Sequence, residues 1–234
     1  VSFEAPGSQD QLIVASRYGE QECARFRSED WWLAGCAADL SDHWAENRGD
    51  ERFVSDGVFE LSYAEVRWRA YRLGAKLLQL GVRPGDRVAV QLPNWCEFAV
   101  SYRALARIGA VMVPIMMVYR ASEIHHVLQN SEAVAVITAG SFRGFDHAQM
   151  FRGLQKECRS LKNLAVVRTE PAQGEIGFDE ACTSTVDGSM PTPDALGPRP
   201  EPDHGPVQWP RTGRVGVPHD PRRRHGQQLP LQVK

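Results

Sequence analysis

Apolar side chains at Val66, Ala70, Leu73, Leu77 and Leu80 recur at intervals of four, three, four and three residues. That rhythm places them on one face of an α-helix. Ser62, followed three residues later by Glu65, is a capping-box pair, so the helix is predicted over 63–79. Gly81 stands where a left-handed C-terminal cap is needed, and Pro84-Gly85-Asp86 makes a turn. Arg87 to Leu92 is then a short apolar strand. Asn94 and Glu97 repeat the capping spacing, and Trp95, Phe98, Tyr102, Leu105 and Ala106 form the next buried stripe. Gly109 closes that second helix, and Val111 to Ile115 is a second strand.

The alternation continues. Ala121 to Asn130 reads as a short helix with Ile124, Val127 and Leu128 inward, and Ala133 to Thr138 as an apolar strand. Asp146 to Glu157 is helical and Asn163 to Val167 is a further strand. Upstream, Cys36 to Asn47 is a helix with Ala37, Leu40 and Trp44 on one face. Arg52–Ser55 and Val58–Glu60, joined by Asp56-Gly57, carry a hairpin signal. Strands alternating with helices predict an α/β fold: part of a doubly wound parallel sheet with flanking helices and right-handed crossovers.

The pattern is absent at both ends. Residues 1–29 are polar and read as an irregular arm, with Trp31-Trp32 anchoring it, and 30–170 form the α/β body. Residues 171–234 read as a low-order tail. From Pro191 to Lys234 stand ten of the fifteen prolines and nine apolar residues, too little apolar surface to offset the entropy of ordering, so this part is expected to be disordered.

Composition narrows the function classes. An apolar content of 42% suits a globular core, and a net charge of −2 gives no basic field, so nucleic acid is not an expected partner. Five cysteines without a C-x-x-C pair suggest reduced thiols, and no apolar run is long enough to span a bilayer. A soluble, cytoplasmic protein is the expectation, with oligomeric state left open. No metal site is predicted: His125-His126 read as surface histidines without ligand-spaced partners. Cys96, at a helix start, reads as a nucleophile or, preferably, as a small buried residue.

Leu61-Ser62-Tyr63-Ala64-Glu65 and Ala106-Arg107-Ile108-Gly109-Ala110-Val111-Met112-Val113-Pro114-Ile115 resemble the first two core motifs of the adenylate-forming acyl-CoA synthetase superfamily. Gln91-Leu92-Pro93-Asn94-Trp95 and Tyr119-Arg120 look closest to its acyl- and aryl-CoA ligases, including those of fatty acid metabolism. The resemblance spans roughly residues 30 to 168. It implies a small carboxylic acid substrate with ATP, Mg²⁺ and coenzyme A. The acid would attack the α-phosphate of ATP, and the coenzyme A thiolate would then displace AMP.

These motifs belong to the fold and carry no catalytic residue. The family's phosphate loop is echoed only by Thr212, Gly213, Arg214 and Gly216, similar to its Thr-Gly-Arg-x-Lys-Gly ending. The leading Ser-Gly-Thr is replaced by Gln208-Trp209-Pro210 and the lysine is missing. A chance match in a Gly/Arg-rich tail is the other reading. The chain therefore reads as the opening part of a truncated ligase, inactive alone. The alternative is a non-catalytic remnant or interaction module with the same partial fold. A one-base frame change is one explanation of the tail.

Overall fold

The computed structural model describes residues 20–29 and 37–183. Its elements, in chain order, begin with α1 (Glu20–Ser28), α2 (Ala37–Arg48), β1 (Arg52–Ser55), β2 (Glu60–Ser62) and α3 (Tyr63–Gln79). They continue with β3 (Arg87–Gln91), α4 (Cys96–Arg107), β4 (Val111–Pro114), α5 (Ala121–Ser131) and β5 (Ala135–Ala139). A short hairpin of β6 (Ser141–Phe142) and β7 (Phe145–Asp146) precedes α6 (His147–Glu157), β8 (Asn163–Val167), β9 (Ile176–Gly177) and α7 (Phe178–Thr183).

Helix α3 forms as its sequence requires. Ser62 Oγ accepts from the Glu65 backbone N–H at 3.2 Å, and Glu65 Oε2 accepts from the Ser62 N–H at 2.7 Å. Val66, Ala70, Leu73 and Leu77 of the predicted stripe are buried. Gly81, at φ +90°, ends the helix with its N–H on the Leu78 carbonyl. Any residue with a Cβ would be strained at that φ.

The five-stranded sheet has the order β4-β3-β5-β8-β9, parallel at every pairing. Alternate residues of each strand serve opposite layers. Val88, Val90, Ile137, Ala165 and Val167 pack beneath α3, α4 and α7. Ala89, Val136, Leu164 and Val166 pack against Ile124 and Leu128 of α5 and Phe151 and Leu154 of α6. Strands covered on both faces are the reason these segments read as continuous apolar runs.

Four readings need correction. Glu20–Ser28 is helical rather than irregular; alternating charges such as Arg25 and Glu29, 3.8 Å apart, support a turn that shows no apolar stripe. The ordered body also runs past 170. Phe178, Ala181 and Cys182 present one apolar helical face and are buried against the α3 layer. Next, α4 is rotated from the predicted stripe: Val100, Ser101, Ala104 and Leu105 face inward while Tyr102 is exposed. Small side chains let α3 approach, and a Cβ on Gly74 would stand only 3.0 Å from Ile108 Cγ2. Finally, Asn94 does not cap α4. Trp95 occupies the cap position without a side-chain bond, and the Cys96 N–H is met by Asp56 from the hairpin. The tail from 191 onward lies outside the described residues.

Candidate functional site

In a doubly wound sheet, ligands sit beyond the carboxyl ends of the strands. Here β3, β5 and β8 end at Gln91, Ala139 and Val167, and two polar networks tie down the loops that follow.

The first centres on Gln91, which is fully buried. Its amide Nε2 donates to the carbonyls of Met116 and Tyr119 at 2.9 and 3.3 Å, fixing the loop between β4 and α5. Its Oε1 lies 3.1 Å from Nδ1 of His147, also buried. Since Oε1 can only accept, Nδ1 donates the proton of this hydrogen bond. Burial lowers the His147 pKa, and the charge of Arg120 lowers it further against the opposing pull of Asp146. Phe145 bridges the two residues: its ring lies 4.9 Å edge-on from His147 and takes the Arg120 guanidinium at 4.1 Å.

The second is a clamp on Arg168, which holds φ +55° directly after β8. Its Nε and Nη2 donate to the two Glu97 carboxylate oxygens at 2.7 and 2.8 Å, and Nη2 also bonds Asp56. The guanidinium lies between the rings of Trp95 at 4.0 Å and Phe59 at 4.8 Å. Asp56 accepts further from the N–H groups of Val58, Phe59 and Cys96. Burial opposes ionisation of Asp56. The Phe59 and Val58 amides, Arg168 and the Cys96 amide outweigh it and hold its pKa far below the usual carboxylate range. One arginine thus joins the hairpin, the start of α4 and the end of β8.

These groups are committed to one another and to the loops they brace. Both carboxylates of the clamp are committed to Arg168. The Cys96 thiol is raised by burial and by Asp56 and Glu97, so the thiolate a nucleophile needs is disfavoured. His125 faces Glu157 at 3.7 Å and His126 faces Asn130 at 2.8 Å, both at the surface rim. No group of three His, Cys, Asp or Glu side chains suited to a metal ion is found among the described residues. Thr212, Gly213, Arg214 and Gly216 lie outside the described residues. Sequence reasoning missed the roles of Gln91, His147 and Arg168. The one available signal was a polar residue at the end of an apolar strand.

A parallel sheet layered by helices, with the loops at its carboxyl edge braced by buried polar pairs, defines part of a doubly wound α/β scaffold. The family model described as AMP-binding enzyme matches residues 41–207, and the chain belongs to that family. Among its relatives is the salicyl-AMP ligase / salicyl-S-ArCP synthetase of Mycobacterium tuberculosis, 34% identical over 175 residues, covering 73% of this chain and 31% of that protein. Another is the 2,3-dihydroxybenzoate-AMP ligase of Bacillus subtilis, 36% identical over 141 residues, covering 60% of this chain and 26% of that protein. The apo structure of Mycobacterium smegmatis MbtA superposes with a TM-score of 0.66 at 28% identity, over 79% of this chain and 34% of that one. The chain thus spans about a third of the length of the relatives it matches. Among the described residues, no helix is long and apolar enough to cross a membrane.

Proposed function

We propose that this chain is part of an enzyme that activates a small carboxylic acid. The acid's oxygen attacks the α-phosphate of ATP, pyrophosphate leaves, and the acyl-adenylate passes its acyl group to the thiol of coenzyme A or another thiol, with AMP as the leaving group. The observation that carries this reading is the family match across 41–207, which includes both sequence motifs on α3, α4 and β4. The relatives named as salicylate and dihydroxybenzoate ligases favour an aromatic acid as the first class to test.

ATP, Mg²⁺ and coenzyme A are the groups this family implies, and the described residues do not fit them. The buried carboxylates at the carboxyl edge are neutralised by Arg168, and the Gln91 amide and His147 Nδ1 are committed to each other and to loop carbonyls. The described part therefore acts as scaffold, and the phosphate-binding chemistry falls to other residues.

The test is a chimera in which residues 41–183 replace the matching segment of the B. subtilis relative. Acid-dependent ATP–pyrophosphate exchange with aromatic acids is expected from the chimera. The 234-residue chain by itself is expected to give none with fatty, alicyclic or aromatic acids. A folded chimera without exchange would overturn the reading and favour a non-catalytic module. Exchange by the 234-residue chain, lost on mutating Thr212 and Gly213, would overturn the scaffold role.

A further inference from the structure

The sheet stops at β4, and among the described residues no strand pairs with its outer edge. Residues 110–118 are nine apolar side chains in succession, with no charge among them. Folded chains guard a free edge strand with charge, proline or a cover, because its unpaired backbone and apolar side chains invite association. Pro114 is the one guard within β4. The Val111 and Ile115 N–H groups bond the Asp86 and Val90 carbonyls on the β3 side, so by the alternation of a strand Met112 turns its N–H outward. Pro114 has no N–H to add. One outward donor is too few for another strand to extend the ladder, so what the edge offers a partner is its side chains.

Those side chains stand in solvent. Tyr102 is 44% exposed, Val111 45%, Met116 60% and Val118 68%. Between α4 and β4 lies an open groove of about 340 Å³, lined by Phe98, Tyr102, Met112 and Pro114. With no charge in that lining, the groove suits an apolar surface and not an ionic ligand. An apolar groove continuous with further exposed apolar residues marks an interaction site. The chain spans 31% and 26% of the two ligases named above, so the larger part of such an enzyme lies outside it.

Resting on the reading of this chain as part of a longer ligase, we propose that the α4–β4 face is the joint on which the rest of that enzyme seats. The occupant is an apolar segment of the enzyme's own remaining polypeptide, with large side chains entering the groove beside Tyr102 and covering Val111, Met116 and Val118. It packs by side chains and does not add a strand.

The experiment is thiol labelling with iodoacetamide, read peptide by peptide in a mass spectrometer, of Tyr102→Cys and Met116→Cys. Each is made in the 234-residue chain and in the chimera carrying residues 41–183. The native Cys96, Cys158 and Cys182 are buried, which keeps the background low. Both new thiols should label about tenfold or more slowly in the chimera than in the 234-residue chain, as covered positions do. His126→Cys, on the exposed side of α5, should label alike in both. Equally fast labelling of Tyr102→Cys and Met116→Cys in the two proteins would overturn the proposal. So would slow labelling in the 234-residue chain itself with a dimeric mass by light scattering, which would make the occupant a second copy. A folded chimera that protects both thiols yet lacks pyrophosphate exchange would keep the joint and overturn the catalytic reading alone. Should the chimera fail to fold, cysteines at the aligned positions of the intact B. subtilis relative decide: protection supports the joint and fast labelling refutes it.

Discussion

Replacing Arg168 by methionine removes the guanidinium while keeping an unbranched side chain in place of its aliphatic stem at the same φ of +55°, so backbone strain cancels between the two proteins. The variant leaves Glu97, with a side chain 10% exposed, and Asp56, 2% exposed, without their cation. Removing one partner from a buried ion pair costs about 3–5 kcal/mol. Two features pull the value toward the lower end. Arg168 is itself 20% exposed, so water can reach the vacated space, and Asp56 keeps its three backbone N–H donors. We expect a loss of about 3 kcal/mol in urea unfolding at pH 7. A double-mutant cycle with Glu97→Gln should return a coupling of about 1–3 kcal/mol. The pH dependence follows from Asp56, whose folded pKa is depressed. Its stabilising contribution is complete above the unfolded value of about 3.9 and is lost as pH falls below it. The gap between wild type and variant should therefore narrow below about pH 4. A loss under about 1 kcal/mol, the range of an exposed ion pair, would refute the reasoning.

Ser62→Ala should cost about 1 kcal/mol through loss of the α3 cap, whereas Leu73→Ala, at a fully buried position, should cost about 2–5 kcal/mol; denaturant melts that make the two equal would count against the helix packing described. His147 predicts a second pH effect. Its folded pKa is lowered, so the unfolded chain takes up the proton first, and stability should decline as pH falls below about 6.5. His147→Asn should flatten that part of the profile, and an unchanged slope would show that His147 does not carry it.

What the sequence disclosed follows the range of the interactions involved. The α3 helix was legible because its cap, its stripe and its terminal glycine are fixed by residues within four positions of one another. The parallel strands were legible because burial on both faces leaves an apolar run that survives any choice of register. The α4 stripe was misread because large aromatics outweigh Ser101 and Ala104 in any hydrophobicity pattern, yet close approach of α3 requires the small residues inside.

The bracing at the carboxyl edge was invisible for a different reason. Arg168 meets Glu97 from 71 positions away and Asp56 from 112, and Gln91 meets His147 across 56. Glu97 and Asp56 each carried a local meaning of their own, Glu97 as a helix cap and Asp56 as a turn residue, while Arg168 lay just past the end of a strand. Asp56 does serve its turn, by accepting from Val58 and Phe59, and it meets the Cys96 N–H and Arg168 as well. Glu97 does not cap; it lies in the first turn of α4, and its carboxylate reaches across to Arg168. The left-handed backbone of Arg168 turns the chain directly after β8, at the point where its guanidinium joins the hairpin to the start of α4. A non-glycine residue kept at that φ is uncommon, and here three side-chain bonds and two ring contacts hold it in place. The packing at the carboxyl edge of the sheet brings these residues together across 56 to 112 positions of sequence. A scaffold role for 41–183 therefore rests on contacts between strands and loops, and replacing any single loop should disturb the edge as a unit.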